Sequence, residues 1–97
     1  MHGEYKVPGG KLVVVDLAVA GGHLAQVQVS GDFFLEPDSA LKRINQSLLG
    51  LPADASESLI AAAVEHALGT DVQLFGITPA GVAVAVRRAL DEDGSAA

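Results

Sequence analysis

The sequence predicts an α+β domain, a two-layer sandwich in which a three-stranded antiparallel sheet is covered by about three helices. Three observations carry this prediction. Residues 1–35 hold alternating apolar runs broken by Gly-Gly pairs, as paired strands do. Beyond them the apolar residues recur at helical spacing, in segments at 37–50, 55–68 and 78–91. The 97 residues are 49% hydrophobic but include no Trp, one Tyr and three Phe, so the core must be built from Ala, Val and Leu. Such small side chains suit a thin core between two layers. With no linker or internal repeat, residues 1–97 are read as a single domain.

Residues 1–5 are polar and read as a lead-in or an edge strand beginning near Tyr5, before Pro8-Gly9-Gly10 breaks the chain. From Lys11 to Val19, residues Val13, Val15, Leu17 and Val19 fall on one face, and Leu12, Val14, Asp16 and Ala18 on the other. A second strand runs from Leu24 to Ser30, with Ala25, Val27 and Val29 sharing a face. Residues paired across an antiparallel ladder share a face. A two-residue loop, Gly21-Gly22, would place Leu17 opposite Gln26 and mix apolar with polar. A three-residue loop, Gly21-Gly22-His23, places Leu17 opposite Val27 and Val15 opposite Val29, so that loop is expected, with a glycine in the left-handed conformation. Gly31-Asp32 reads as a bend and Phe33-Phe34-Leu35 as a short third strand, with one Phe entering the core and the other facing out.

After Pro37 the period becomes helical, with Leu41, Ile44 and Leu48 on one stripe and Gly50 and Pro52 as stop signals. Pro37 suits a first helical turn. A second helix is expected after Asp54, where D-A-S-E reads as a capping box ending at Glu57, with Ser56 as a competing cap. Its stripe is Leu59, Ile60, Ala63, Val64, Ala67 and Leu68, and Gly69 ends it. Val72 to Ile77 reads as a linker anchored by Leu74, Phe75 and Ile77. Thr78-Pro79 opens a third helix, with Thr78 as cap, running to about Asp91; residues 92–97 read as a frayed end.

The net charge of −6 and six scattered Lys and Arg argue against nucleic-acid binding, which requires a basic stripe. No apolar run reaches bilayer-spanning length and no signal peptide is visible, so a cytoplasmic protein without a membrane partner is expected. The absence of cysteine excludes disulfides, thiolate metal sites and thiol catalysis. His2, His23 and His66 lie far apart at non-ligand spacings and read as surface residues, so no metal site is expected. The serines lack a nucleophile-elbow context, and nothing in the sequence brings Asp16 and Asp32 together. No catalytic residue is assigned.

Pro8-Gly9-Gly10-Lys11 invites an anion-binding reading. Two glycines free backbone N–H groups to turn toward a phosphate, and Lys6 and Lys11 supply charge. The segment leads into a strand rather than a helix, unlike a Walker loop, so an ordinary strand-opening turn is the competing reading.

Three segments, K-V-P-G-G-K-L at Lys6–Leu12, V-S-G-D-F-F at Val29–Phe34 and F-G-I-T-P-A at Phe75–Ala80, together with the hairpin and helix pair between them, resemble the small accessory domain of lipoate–protein ligases. The resemblance covers nearly the whole chain. It implies an α/β two-layer sandwich that acts as a separate, non-catalytic subunit, since the Arg-Arg, Gly-rich segment and essential lysine of the family's large part are missing here. It further implies a catalytic ligase subunit as partner, which would handle ATP, magnesium and lipoate and form lipoyl-AMP, while this chain alone binds no cofactor. On that reading Lys6, Gly9, Gly10 and Lys11 are the candidates to face nucleotide or partner, and Asp32, Phe33 and Phe34 the candidates for docking. The alternatives are a free-standing interaction module of the same fold, or an accessory subunit for a related biotin or octanoyl ligase.

Overall fold

The computed structural model describes residues 1–94, with side chains through Asp91. The order of elements is β1 (His2–Lys6), β2 (Leu12–Ala20), β3 (His23–Gly31), β4 (Phe34–Glu36), α1 (Ser39–Leu48), α2 (Glu57–Leu68), β5 (Gln73–Phe75) and α3 (Pro79–Gly94). The first three strands form an antiparallel sheet in the order β1-β2-β3, and β4 pairs with β5 in a second, two-stranded sheet. α3 lies on β1 and β2, α1 lies on β3, and α2 packs against both helices. The fold is therefore the predicted α+β sandwich, with a small second sheet added at one edge.

The alternation read in β2 is the alternation observed. Val13, Val15 and Leu17 are buried, while Asp16 on the opposite face is exposed. They meet Val29 of β3, Ile44 and Leu48 of α1, Ile60 and Val64 of α2, and Val82 and Val86 of α3 in one continuous core. Each such side chain contributes about 1.5–3 kcal/mol on burial. The helical spacing of Val82 and Val86 explains why their segment, which also alternates through Val84, folds as a helix: a strand would have put all three on one face, whereas Val84 is only half-buried.

β1 begins at His2, earlier than expected, because α3 gives it a face to pack on. Gly3 is where they meet most closely: a Cβ there would collide with the backbone of Ala85 and Ala89. Arg88 then stacks its guanidinium over the Tyr5 ring, 5.0 Å from the centroid, and donates to the Glu4 carbonyl at 3.0 Å.

The β2–β3 hairpin reaches the expected register by a different route. Leu17 pairs with Val27 and Val15 with Val29, yet the loop has two residues, since Ala20 pairs with His23. Gly21 and Gly22, at φ 61° and 78°, make the tight turn. The odd residue is absorbed by a bulge: Ala18 pairs with Gln26 and Val19 with Leu24, leaving Ala25 unpaired. Leu24 consequently turns inward and Ala25 outward, the reverse of the sequence expectation. The free edge of β3 is covered. Leu24 donates to the Leu51 carbonyl and accepts from Gly50, and the Val29 N–H donates to Asn45 Oδ1 at 2.9 Å.

Further expectations are corrected. The residues around Phe33–Leu35 do not extend the main sheet: Phe34–Glu36 pairs instead with Gln73–Phe75, so the supposed linker is a strand. Pro37 precedes α1 rather than entering it, and the cap of α2 is Ser56, whose hydroxyl accepts from the Leu59 N–H at 3.2 Å, rather than Asp54. α3 continues to Gly94, through the start of the supposed frayed end; residues 95–97 lie outside the described residues. The Thr78 cap is as expected, with Thr78 Oγ1 accepting from the Gly81 N–H at 2.9 Å.

Candidate functional site

The three segments that carry the family resemblance converge on one edge of the molecule. Lys11 donates its backbone N–H to the Gly76 carbonyl at 2.9 Å. Gly76 adopts φ 86°, and a Cβ there would sit 2.5 Å from Lys11 Cγ, so the lysine stem lies directly over a glycine. One residue earlier, the Phe75 ring stacks on Phe34 with centroids 4.5 Å apart and planes 14° from parallel. Gly31, which pairs with Val13, opens the turn that leads to Phe33 and Phe34. Residues 7–11, 31–36 and 73–78 thus form a continuous strip, although its contacting residues Lys11 and Gly76 stand 65 positions apart in the chain.

Within the hairpin loop three of the four backbone N–H groups from Val7 to Lys11 are engaged, that of Gly9 being the exception. Val7 donates to the Lys11 carbonyl at 3.1 Å, Gly10 to the Val7 carbonyl at 2.8 Å, and Lys11 to Gly76; Pro8 has no N–H. Gly9 provides the positive φ of 72° that closes the turn. Lys6 Nζ donates to the Gly10 carbonyl at 2.9 Å, which ties that ammonium to the loop's own backbone. A phosphate cradle depends on several convergent unsatisfied N–H groups. This loop has the bonding of a strand-opening turn, and its charge is presented mainly by the exposed Lys11.

Asp32 and Phe34 are exposed, Phe34 to 56%, while Phe33 is 9% exposed and belongs to the core. The docking candidates therefore divide: Phe33 holds the strip in place, and Phe34 is its accessible surface. Its partner Phe75, 39% exposed, was missed as a surface residue. The signal was present in Gln73-Leu74-Phe75, whose alternation leaves Leu74 inward and Phe75 outward. Next to the stack is a depression of about 190 Å³, lined by Phe33, Phe34, Leu35, Asp38 and Leu41.

A second polar cluster occupies the uncovered face of the main sheet. His2 Nδ1 lies 2.7 Å from Asp16 Oδ1 and His2 Nε2 lies 2.7 Å from Glu4 Oε2. Both ring nitrogens face carboxylates, so both carry protons, and the imidazolium pKa is raised to about 9 by the Glu4 and Asp16 hydrogen bonds. The wide, open hollow beside it, about 710 Å³, is lined in part by His2, Asp16, Gln26 and Gln28. Asp16 therefore meets His2, whereas Asp32 lies past the far end of β3. Among the described residues no polar or charged residue is buried, and no three His, Cys, Asp or Glu side chains are placed to hold a metal ion. No described helix is long and apolar enough to cross a membrane.

The fold is a small α+β domain that carries an exposed aromatic strip at one edge. The chain matches no protein-family model and no curated protein. Among solved structures it is similar to a chain in an archaeal lipoylation system, a bi-partite lipoate protein ligase and its E2 lipoyl domain from Thermoplasma acidophilum. The TM-score is 0.65 and the identity 24%, over 90% of this chain and 98% of that one, which makes the likeness one of fold.

Proposed function

We propose that this chain is the non-catalytic accessory part of a lipoate–protein ligase, assisting ATP-dependent activation of lipoate to lipoyl-AMP by a separate catalytic subunit. The observation that carries the reading is the convergence of the three family-like segments on one exposed strip, through the Lys11–Gly76 hydrogen bond and the Phe34–Phe75 stack. The fold likeness to a chain of a bi-partite ligase system, nearly full-length in both directions, supports the same reading. So does the architecture, since a two-layer sandwich on a three-stranded antiparallel sheet is what the resemblance to accessory domains implies.

The contribution of such a part is geometric. A domain that docks beside an adenylating site excludes water and holds the activated acyl group in line, which lowers the barrier without adding a reacting group. In this proposal Lys11 faces the nucleotide or the partner, and Gly9 and Gly10 shape the turn that presents it. Lys6 braces the same turn, and Phe34 and Asp32 dock. ATP, magnesium and lipoate belong to the catalytic partner.

The exposed Phe34–Phe75 stack favours one second reading, an interaction module of the same fold with another partner. Lipoate-dependent ATP–pyrophosphate exchange by the catalytic subunit, with and without this chain, separates the two. Intact mass of the chain after the full reaction adds a third outcome: a gain of one lipoyl group would make it an acceptor domain instead.

A further inference from the structure

The β4–β5 strip presents an aromatic stack whose Phe34 is flanked in the chain by acidic side chains. Phe34 and Phe75 are exposed to 56% and 39%, in a chain with only three Phe. Single exposed apolar residues are ordinary, but a stacked, solvent-facing pair beside an apolar depression marks a contact surface. Asp32, Glu36 and Asp38 surround Phe34 in the chain, and all three are exposed. The ion pairs among the described residues engage Glu4, Asp16, Asp71 and Asp91, and none of these three carboxylates. Asp38 makes no side-chain cap to α1.

From this arrangement we infer that the Phe34–Phe75 strip docks a basic, apolar segment of a partner polypeptide, with an Arg or Lys beside an aliphatic residue. The inference deepens the accessory-subunit reading and rests on it for the partner's identity. Covering three unpaired carboxylates with an uncharged surface would strip their water without compensation, so the covering surface must bring cations. A second copy of this chain would set the same carboxylates opposite one another in an isologous contact, at a net charge of −6 each. Nucleic acid and anionic lipid carry the same sign. A guanidinium fits best: it stacks on the exposed Phe34 face and bonds a neighbouring carboxylate at once. The depression of about 190 Å³ has room for the adjacent aliphatic side chain.

The test has two arms. In the first, the isotope-labelled full chain is titrated with N-acetyl-Leu-Arg-amide and, separately, N-acetyl-Leu-Glu-amide, while NMR shifts are followed. The inference expects shifts at Phe34, Phe75 and Asp38 with the basic peptide, and loss of them in Phe34→Ala. Shifts elsewhere, no shifts, or equal response to the acidic peptide overturn it. In the second, affinity for the catalytic ligase subunit is measured at low and high salt. Phe34→Ala should weaken binding about tenfold or more, and D32N/E36Q/D38N should flatten the salt dependence. Unchanged binding by both variants overturns the docking site and leaves the accessory reading standing. A ligase subunit that does not bind the wild-type chain removes the accessory reading, while a positive peptide map keeps the basic-segment surface.

Discussion

The Lys11 backbone N–H donates to the Gly76 carbonyl at 2.9 Å, and the Lys11 stem lies over the place where a Gly76 side chain would be. This one contact pins the β1–β2 hairpin loop to the end of β5, and so fixes the loop lysine relative to the Phe34–Phe75 stack.

Gly76→Ala should break that arrangement. The residue sits at φ 86°, where L-residues are strained, and the new Cβ would press on Lys11 Cγ at 2.5 Å. A loss of about 1–3 kcal/mol in urea unfolding is expected, accompanied by amide shift changes at Gly10 and Lys11. Wild-type stability with unmoved Lys11 signals would show that the contact is dispensable.

Gly3→Ala tests the packing of α3 on β1. Its Cβ would enter the backbone of Ala85 and Ala89, neither of which can rotate away as a side chain can. Overpacking of this kind costs about 1–3 kcal/mol, read as a fall in Tm of about 4–8 °C per kcal/mol for a chain of this size. Gly22→Ala is the comparison, because no heavy atom lies within 4 Å of its new Cβ and only the φ of 78° opposes it.

Arg87 ties α3 to the segment before α2. Its guanidinium donates to the Ala53 and Ala55 carbonyls at 2.9 and 3.2 Å and to Asp91 Oδ1 at 2.7 Å. Arg87→Ala should destabilise by about 1.5–3 kcal/mol, because charge-assisted bonds in a partly buried setting are lost. Asp91→Asn should cost under about 0.5 kcal/mol, as an exposed i,i+4 pair does. Equal effects from both substitutions would show that the backbone carbonyls contribute little.

The His2 cluster gives a pH dependence of known sign. His2 has its pKa raised to about 9 by Glu4 and Asp16, so the folded state holds its proton more tightly than the unfolded state, whose value is near 6.5. The stabilisation is fully present below about 6.5 and is lost as pH rises through about 9. NMR titration of the His2 ring should report the raised value, and E4Q/D16N should return it toward 6.5. An ordinary midpoint in the wild-type chain would contradict the geometry.

Much of this architecture is legible in the sequence because periodicity reports burial directly. Val13, Val15 and Leu17 announced their face, and Ile60 and Val64 announced theirs. The Leu17–Val27 register was also legible, since apolar residues must meet apolar residues, but the bulge at Ala25 was not. Loop length and bulge trade one residue for another, and the sequence records only their sum. The β4–β5 sheet was hidden for a different reason. Strands of three residues show almost no period, and their partnership spans the intervening two helices. The candidate strip inherits that gap: the G-D-F-F segment points to Phe34, while Phe75 reads as a linker anchor. Likewise Asp16 was a lone polar residue in an apolar strand until β1 brought His2 to it.

The most direct test of the accessory role is lipoate-dependent ATP–pyrophosphate exchange by the catalytic subunit, with the wild-type chain, with Lys11→Ala, and without this chain. The account predicts exchange only when the chain is present, and a reduction of about tenfold or more with Lys11→Ala if its ammonium contributes one charge-assisted contact. Equal exchange by the catalytic subunit alone would contradict it.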